Sequence, residues 1–211
     1  MLIELNKVVP TPLPGKIIKS SEIWDHNLRI ESQSKILISA QSGMGKSTLL
    51  HLIYGLRHDY TGQFSIAGKP AKKLTFKQWE KWRRDSISLV FQDLRLFPHL
   101  SAQENIELIP EINPSAPSVE EMVDRLGMGP YLQQLVSSLS HGQRQRIAII
   151  RALHKPFRIL LLDEPFSHLD KSNQILACEL IKEVVEQQQA GLILSSLGSA
   201  SSLPFDYQYK L

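Results

Sequence analysis

The run Ala40-Gln41-Ser42-Gly43-Met44-Gly45-Lys46-Ser47-Thr48 holds the residue types needed to bind a phosphate chain. Gly43 and Gly45 let the backbone fold tightly, so that several N–H groups can point at one anion. Lys46 adds a mobile positive charge, and the Ser47 hydroxyl can ligate Mg²⁺. The phosphate-loop pattern opens on glycine, and Ala40 stands there instead. Asp163 and Glu164 form a second reactive pair, directly after the apolar run Ile159–Leu162. Asp163 would hold Mg²⁺ through water, and Glu164 would polarise an attacking water. A third stretch is Leu139-Ser140-His141-Gly142-Gln143. Ser140 and Gln143 have capping-box spacing, and Gly142 leaves room for close backbone approach. Together they form a second anion site at a helix start, followed by Arg144, Arg146 and Arg151. An ordinary capped helix with a solvated basic face accounts for that stretch taken alone. Two phosphate-binding elements either meet one nucleotide within the chain, or meet across a head-to-tail dimer.

These residues need elements to position them. Ile36-Leu37-Ile38 reads as a strand feeding the first loop, and Leu49–Ile53 as the helix leaving it, with Gly55 as its stop. Ile159–Leu162 is uninterrupted and apolar, as expected of a strand buried on both faces. Ile87–Phe91, ending at Gln92, and Leu192–Leu194 read as further buried strands. Tyr207–Leu211 reads as a last edge strand. Ile3-Glu4-Leu5, Leu28-Arg29-Ile30 and Thr61–Gly68 suggest a small antiparallel sheet beside the parallel one. Pro10, Pro12, Pro14 and Gly15 mark a loop. Thr75 with Gln78, and Ser118 with Glu121, have capping-box spacing. The first of these helices carries Trp79 and Trp82 as core residues. The second places Val119, Met122, Val123 and Leu126 on one face. Leu176, Leu180, Ile181 and Val184 mark another helix, with Gly191 as its stop. Residues 93–155, with Pro98, Pro110, Pro114 and Pro117 in the first half, read as a mainly helical lobe inserted into the sheet domain.

The chain has 211 residues, a 42% hydrophobic fraction and a net charge of +3. That suits one domain with an insert, and the mild charge does not identify nucleic acid as a partner. The single cysteine, Cys178, excludes an internal disulfide and fits a reducing compartment. Its apolar helical setting favours a buried structural thiol. Met1–Leu5 meets a charge at once, unlike a signal peptide. No apolar run approaches the ~18 residues of a membrane span, so a role at a membrane would be peripheral.

The order of these motifs resembles the ATP-binding subunit of an ABC transporter, along nearly the whole chain. Ala40–Thr48 resembles the Walker A loop. Leu89-Val-Phe-Gln92 with Leu96–Leu100 resembles the Q-loop segment. Leu139–Gln143, running into Arg144–Leu153, resembles the family signature and its helix. Ile159–Pro165 resembles Walker B with its catalytic glutamate, and Ser167-His-Leu-Asp170 resembles the D-loop. The resemblance implies a P-loop NTPase fold: a mainly parallel sheet, a small antiparallel β subdomain and the helical subdomain 93–155, within one ABC-type domain over 1–211. It implies that Lys46, Ser47 and the amides of residues 40–48 bind ATP and Mg²⁺. Gln92 would contact the metal or the water. Ser140, Gly142 and Gln143 would contact the γ-phosphate held by the other subunit, and Asp170 would couple the two sites. The implied partners are a second copy across two ATP molecules and an integral membrane permease docked on the helical lobe, at the inner face of the cell membrane. Nucleic acid is not among them.

Four departures matter. Leu197 falls where the family carries a phosphate-contacting His, with the Ser195 or Ser196 hydroxyl as a partial substitute. Loss of one transition-state donor costs about 10²–10³ in rate, so slow hydrolysis is expected. Residues 6–16 contain no aromatic to stack on adenine, which leaves Trp24 as the nearest candidate. His141 and Ala40 replace glycines of the signature and the first loop. No C-terminal regulatory domain is expected after Leu211. The leading expectation is a dimeric ATPase driving a separate membrane protein. A second is a degenerate ATP-binding switch that gates a partner without efficient turnover. A third, a soluble ABC ATPase acting on ribosomes or nucleic acid, is disfavoured by the mild charge and the single cassette.

Overall fold

A computed structural model describes residues 2–109, 112–197 and 202–211. Met1 and Pro110, noted above, lie outside the described residues. The chain runs β1 (Ile3–Pro10), α1 (Gly15–Ser20), β2 (Asn27–Ile30), β3 (Lys35–Ser39), α2 (Lys46–Tyr54), β4 (Tyr60–Ile66), β5 (Lys69–Pro70), α3 (Phe76–Asp85) and β6 (Ile87–Val90). It continues with α4 (Ala102–Glu107), α5 (Val119–Arg125), α6 (His141–His154), β7 (Ile159–Asp163), α7 (Lys171–Gln187), β8 (Gly191–Ser196) and β9 (Tyr207–Lys210).

Two sheets form. One is antiparallel, in the order β2-β1-β4-β5. The other is parallel, in the order β6-β7-β8-β3-β9. Because all five parallel strands point the same way, Ser39, Val90, Asp163 and Ser196 finish at one end of the sheet. Ligand crevices of open α/β sheets lie at that end.

The period-2 alternation of strands divides the core. Ile36, Ile38, Ile159, Leu161 and Ile193 pack on one side, with α2, Trp79 of α3 and the antiparallel sheet. Leu160, Leu162, Leu192 and Leu194 pack on the other, with α6, α7 and the helices preceding α6. Every residue of β7 is buried, which is why its first four positions read as unbroken isoleucine and leucine before Asp163. Burial pushes the Cys178 thiol up, and Cys178 sits in the second core as a free, buried side chain.

Several local expectations change. A short helix, α1, follows the proline loop; none of its residues is buried, so it leaves no apolar periodicity to read. Leu176 is 41% exposed, while Leu180, Ile181 and Val184 turn to the core. Helix α7 ends at Gln187, before Gly191, which instead opens β8. Ser118 accepts the Glu121 N–H, but that reciprocal box is not closed by the Glu121 side chain. Thr75 and Ser140 do form complete boxes with Gln78 and Gln143. Between β6 and β7 the described residues contain helices, turns and one isolated bridge, Ser101 to Leu135.

Candidate active site

Ser39 ends β3 and the chain turns through residues 40–45 into α2. Gly43 and Gly45 take left-handed φ values of 80° and 98°. A Cβ on Gly45 would stand 3.2 Å from Trp24 Nε1, so the indole forms the floor of the loop. Among the described residues, the amide N–H groups of Gly45, Lys46, Ser47 and Thr48 find no backbone acceptor. Four orphan donors at the positive end of a helix fit an anion rather than an apolar ligand.

Lys46 is 5% exposed. Its Nζ donates to the carbonyls of Ala40 at 2.8 Å and Gln41 at 3.0 Å, and stands 3.2 Å from Glu164 Oε1. This ion pair ties the loop after β3 to the carboxylate after β7. Glu164 has φ of 50°, unusual for a side chain with a Cβ, and is held there from behind. Its N–H donates to the Ser195 carbonyl and hydroxyl, at 3.2 and 3.3 Å. The Ser195 hydroxyl in turn donates to Asp163 Oδ1 at 2.6 Å.

A cleft of about 260 Å³ is lined by Ser42, Gly43, Gly45, Lys46, Ser47 and Thr48, by Gln92 and Glu164, and by Pro12, Leu13 and Pro14. Ala40 and Gln41 face it only as carbonyl acceptors for Lys46, and Met44 packs against the core. Asp163 lies beneath, 2% exposed. Adjoining through Glu164 is a cleft of about 240 Å³ that includes Ser195, Ser196 and Leu197. Leu197 is 57% exposed and brings no hydrogen-bonding group to it. The hydroxyl of Ser195 is fully buried and already given to Asp163, so it presents no free donor to that cleft. Trp24 is likewise corrected: at 0% exposure it lies below the loop and presents no face to a base.

The 139–143 stretch is elsewhere. Ser140, Gly142 and Gln143 do not line the Lys46 cleft. The Ser140 hydroxyl accepts the Gln143 N–H at 3.3 Å, and the Gln143 side chain accepts the Ser140 N–H at 2.7 Å. A Cβ on Gly142 would meet the His168 carbonyl at 2.9 Å, which explains the glycine. The His141 and His168 rings stack with centroids 3.8 Å apart. Burial first, then His168 and Arg144, hold the His141 pKa below its ordinary value. Asp170 caps α7, accepting from the Asn173 N–H and side chain and from Ser172; these bonds pull its carboxyl down to about 2.

Two residues escaped the sequence reading. Gln145 is 2% exposed and straps α6 to the segment after β7, bonding the Glu164 carbonyl and accepting the His168 N–H. Arg57 donates to Thr48 Oγ1, the Thr11 carbonyl and Asp59, joining the phosphate loop to the proline loop. Arg57 stands in no motif, and Gln145, inside the signature-like helix, acts on a segment about twenty residues away that local spacing does not reveal.

Comparison with known proteins agrees with this geometry. The ABC transporter family model matches residues 23–167. The chain is 35% identical over 175 residues to the thiamine import ATP-binding protein ThiQ of Haemophilus influenzae, covering 80% of this chain and 78% of that protein. It is 29% identical to the lipoprotein-releasing system ATP-binding protein LolD of Alcanivorax borkumensis, over 98% of this chain and 96% of that one. Among solved structures, the dimeric bacterial ABC transporter cassette MJ0796 superposes with a TM-score of 0.76 at 31% identity, over 92% and 88% of the two chains. The same cassette, as a dimer in a post-hydrolysis state with ADP and Pi, also gives 0.76, at 28% identity over 92% and 87%. The family match spans most of the chain and the fold agrees, so the protein belongs to the ABC transporter family, among its ATP-binding subunits.

Proposed function

We propose that the chain binds and hydrolyses ATP as a head-to-tail dimer and drives a separate membrane permease or envelope protein. The observation that carries this reading is the single cleft where Ser42, Gly43, residues 45–48, Gln92 and Glu164 meet. The orphan amides and Lys46 would hold the phosphates. Ser47 and Asp163, with Gln92, would hold Mg²⁺, which supplies charge neutralisation on the transferring phosphoryl group. Phosphate arriving at Lys46 competes with Glu164 for the ammonium. Glu164 is then released to orient and deprotonate water. Leu13 between Pro12 and Pro14 is the apolar surface left for the base, so base selectivity should be low.

The separation of Ser140, Gly142 and Gln143 from this cleft favours the second of the two arrangements open to the sequence. Each signature would close over the partner's phosphate loop, with Asp170 coupling the sites. Both MJ0796 structures are dimers, which supports the assembly. Residues 93–155 would serve as the helical subdomain that receives the permease, with the chain peripheral on the cytoplasmic face of the membrane. Nucleic acid has no place in this reading.

The test is phosphate release by the purified chain, with ATP binding confirmed in the same sample. Glu164→Gln should lower turnover by about 10²–10⁴, the usual contribution of a general base. Leu197→His should raise it by up to about 10²–10³. Binding without turnover above the Glu164→Gln baseline, even after Leu197→His, would instead support the alternative, an ATP-binding switch that gates its partner. The absence of a donor at Leu197 is the observation favouring that alternative.

A further inference from the structure

Residues 69–85 carry seven of the chain's 24 Lys and Arg residues and two of its 21 Asp and Glu residues. The remainder of the chain is therefore slightly acidic, and the net positive charge is local. This segment is continuous in space as β5, a 3₁₀ turn over Ala71–Lys73, and α3. Lys69, Lys73, Lys77 and Lys81 are exposed, and none of them is in an ion pair among the described residues. Lys72 donates to the Tyr60 carbonyl at 2.8 Å and lies over the Tyr60 ring. Arg84 is paired with Asp85 at 2.7 Å. In the middle stands Phe76, 77% exposed at the first position of α3. Next to it Leu56, 44% exposed, and Leu74 line a shallow groove of about 440 Å³ over Trp79.

We infer that this surface docks on an anionic lipid bilayer, with the lysines in the headgroup field and Phe76 as a shallow anchor. Two features favour lipid over an acidic protein segment. The free charges are lysines, which are flexible point charges suited to a diffuse anionic field; bidentate carboxylate recognition uses arginine. The apolar residue at the centre protrudes, whereas a protein partner would be met by a pocketed anchor. Helix α3 cannot lie in the bilayer as an amphipathic anchor, because its Trp79 is already buried in the core. Adsorption thus combines a polybasic patch with one aromatic side chain at headgroup depth. This rests on the peripheral location proposed above.

The test is flotation of the full chain with vesicles of phosphatidylcholine alone, or with about one third phosphatidylglycerol. The chain should float only with the anionic vesicles at about 0.1 M salt, and be released at about 1 M, where the screening length falls from about 10 to about 3 Å. Lys73→Glu/Lys77→Glu/Lys81→Glu should weaken partition at least tenfold, roughly, and Phe76→Ala a few-fold. If the triple variant melts early, Lys73→Gln/Lys77→Gln should still weaken partition several-fold. Equal flotation with neutral vesicles, retention after charge reversal, or no flotation with anionic vesicles would overturn the inference; the last would assign the patch to an acidic protein segment. Flotation requires neither ATP nor a permease, so its failure leaves the ATPase reading intact, and absent turnover leaves the lipid reading intact.

Discussion

Lys46 and Glu164 hold one another in the phosphate cleft, and each is the other's nearest opposite charge. A buried ion pair of this kind is strongly affected by removal of one member, which leaves the other desolvated and unpaired. Lys46→Ala therefore has two expected effects: loss of ATP binding by at least about 100-fold, seen by calorimetry, and a lower melting temperature. Undiminished binding would move the phosphate site elsewhere. His141 gives a pH dependence. Burial, His168 and Arg144 hold its folded pKa below the ordinary 6.5, and burial likewise holds down His51 and His154. The charged groups near the His141 ring are Arg144 on its own helix and His168 on the facing loop, while Asp170 is engaged by Ser172 and Asn173. A group with a depressed basic pKa binds fewer protons folded than unfolded, so its contribution is complete at neutral pH and is lost as pH falls below 6.5. His141→Phe keeps a ring on His168 and removes the proton. Its melting temperature should fall less than that of the unchanged chain between about pH 7.5 and about pH 5.5. Parallel pH profiles would remove His141 from the account.

At the scale of elements, the phosphate loop is positioned by what packs behind it. Helix α2 leaves the loop and stops at Gly55, whose φ is 74°. A Cβ there would meet the Trp79 ring at 2.2 Å, a contact that ring cannot yield because Trp79 is 3% exposed. The glycine thus serves as a helix stop and as the seat of α3 on α2. Gly55→Ala should cost about 1–3 kcal/mol through overpacking and the left-handed backbone. In a chain of this size that lowers the melting temperature by about 3–10 °C. A change within one degree or so, read by calorimetry, would mean that α3 shifts freely. Gln145, Gly142 and the stacked histidines similarly seat α6 on the loop after β7. Helix α6 and the segment carrying Glu164 are thereby tied together, as the proposed closure over a second subunit requires.

For the whole molecule, the issue is whether one copy is enough. The Lys46 cleft and the Ser140 end of α6 are separate within the chain. In the head-to-tail arrangement proposed above, a complete site needs two copies and two nucleotides. Glu164→Gln with ATP should run as a dimer in size-exclusion chromatography and as a monomer without it, because the trapped nucleotide keeps the interface closed. Monomer in both conditions, with ATP binding confirmed, would set aside the head-to-tail arrangement for the isolated subunit.

The sequence by itself determined the elements whose signals are local. Leucine and isoleucine runs mark β7 and β8, Thr75–Gln78 and Ser140–Gln143 close their boxes, and Gly43, Gly45 and Lys46 announce the phosphate loop. Each depends on residues within a few positions of one another, where periodicity and capping chemistry are legible. Only the tertiary structure decided what faces the cleft. Trp24 is floor rather than wall, Ser195 is bound to Asp163 across neighbouring strands, and Pro12–Pro14 line the Lys46 cleft. Leu176 turned outward, and α7 ended before its expected glycine. Those outcomes depend on which strand lies beside which, and on burial shared between segments more than a hundred residues apart. No single stretch of the chain carries that information; it arises when β3, β7 and β8 bring their ends to one edge of the sheet.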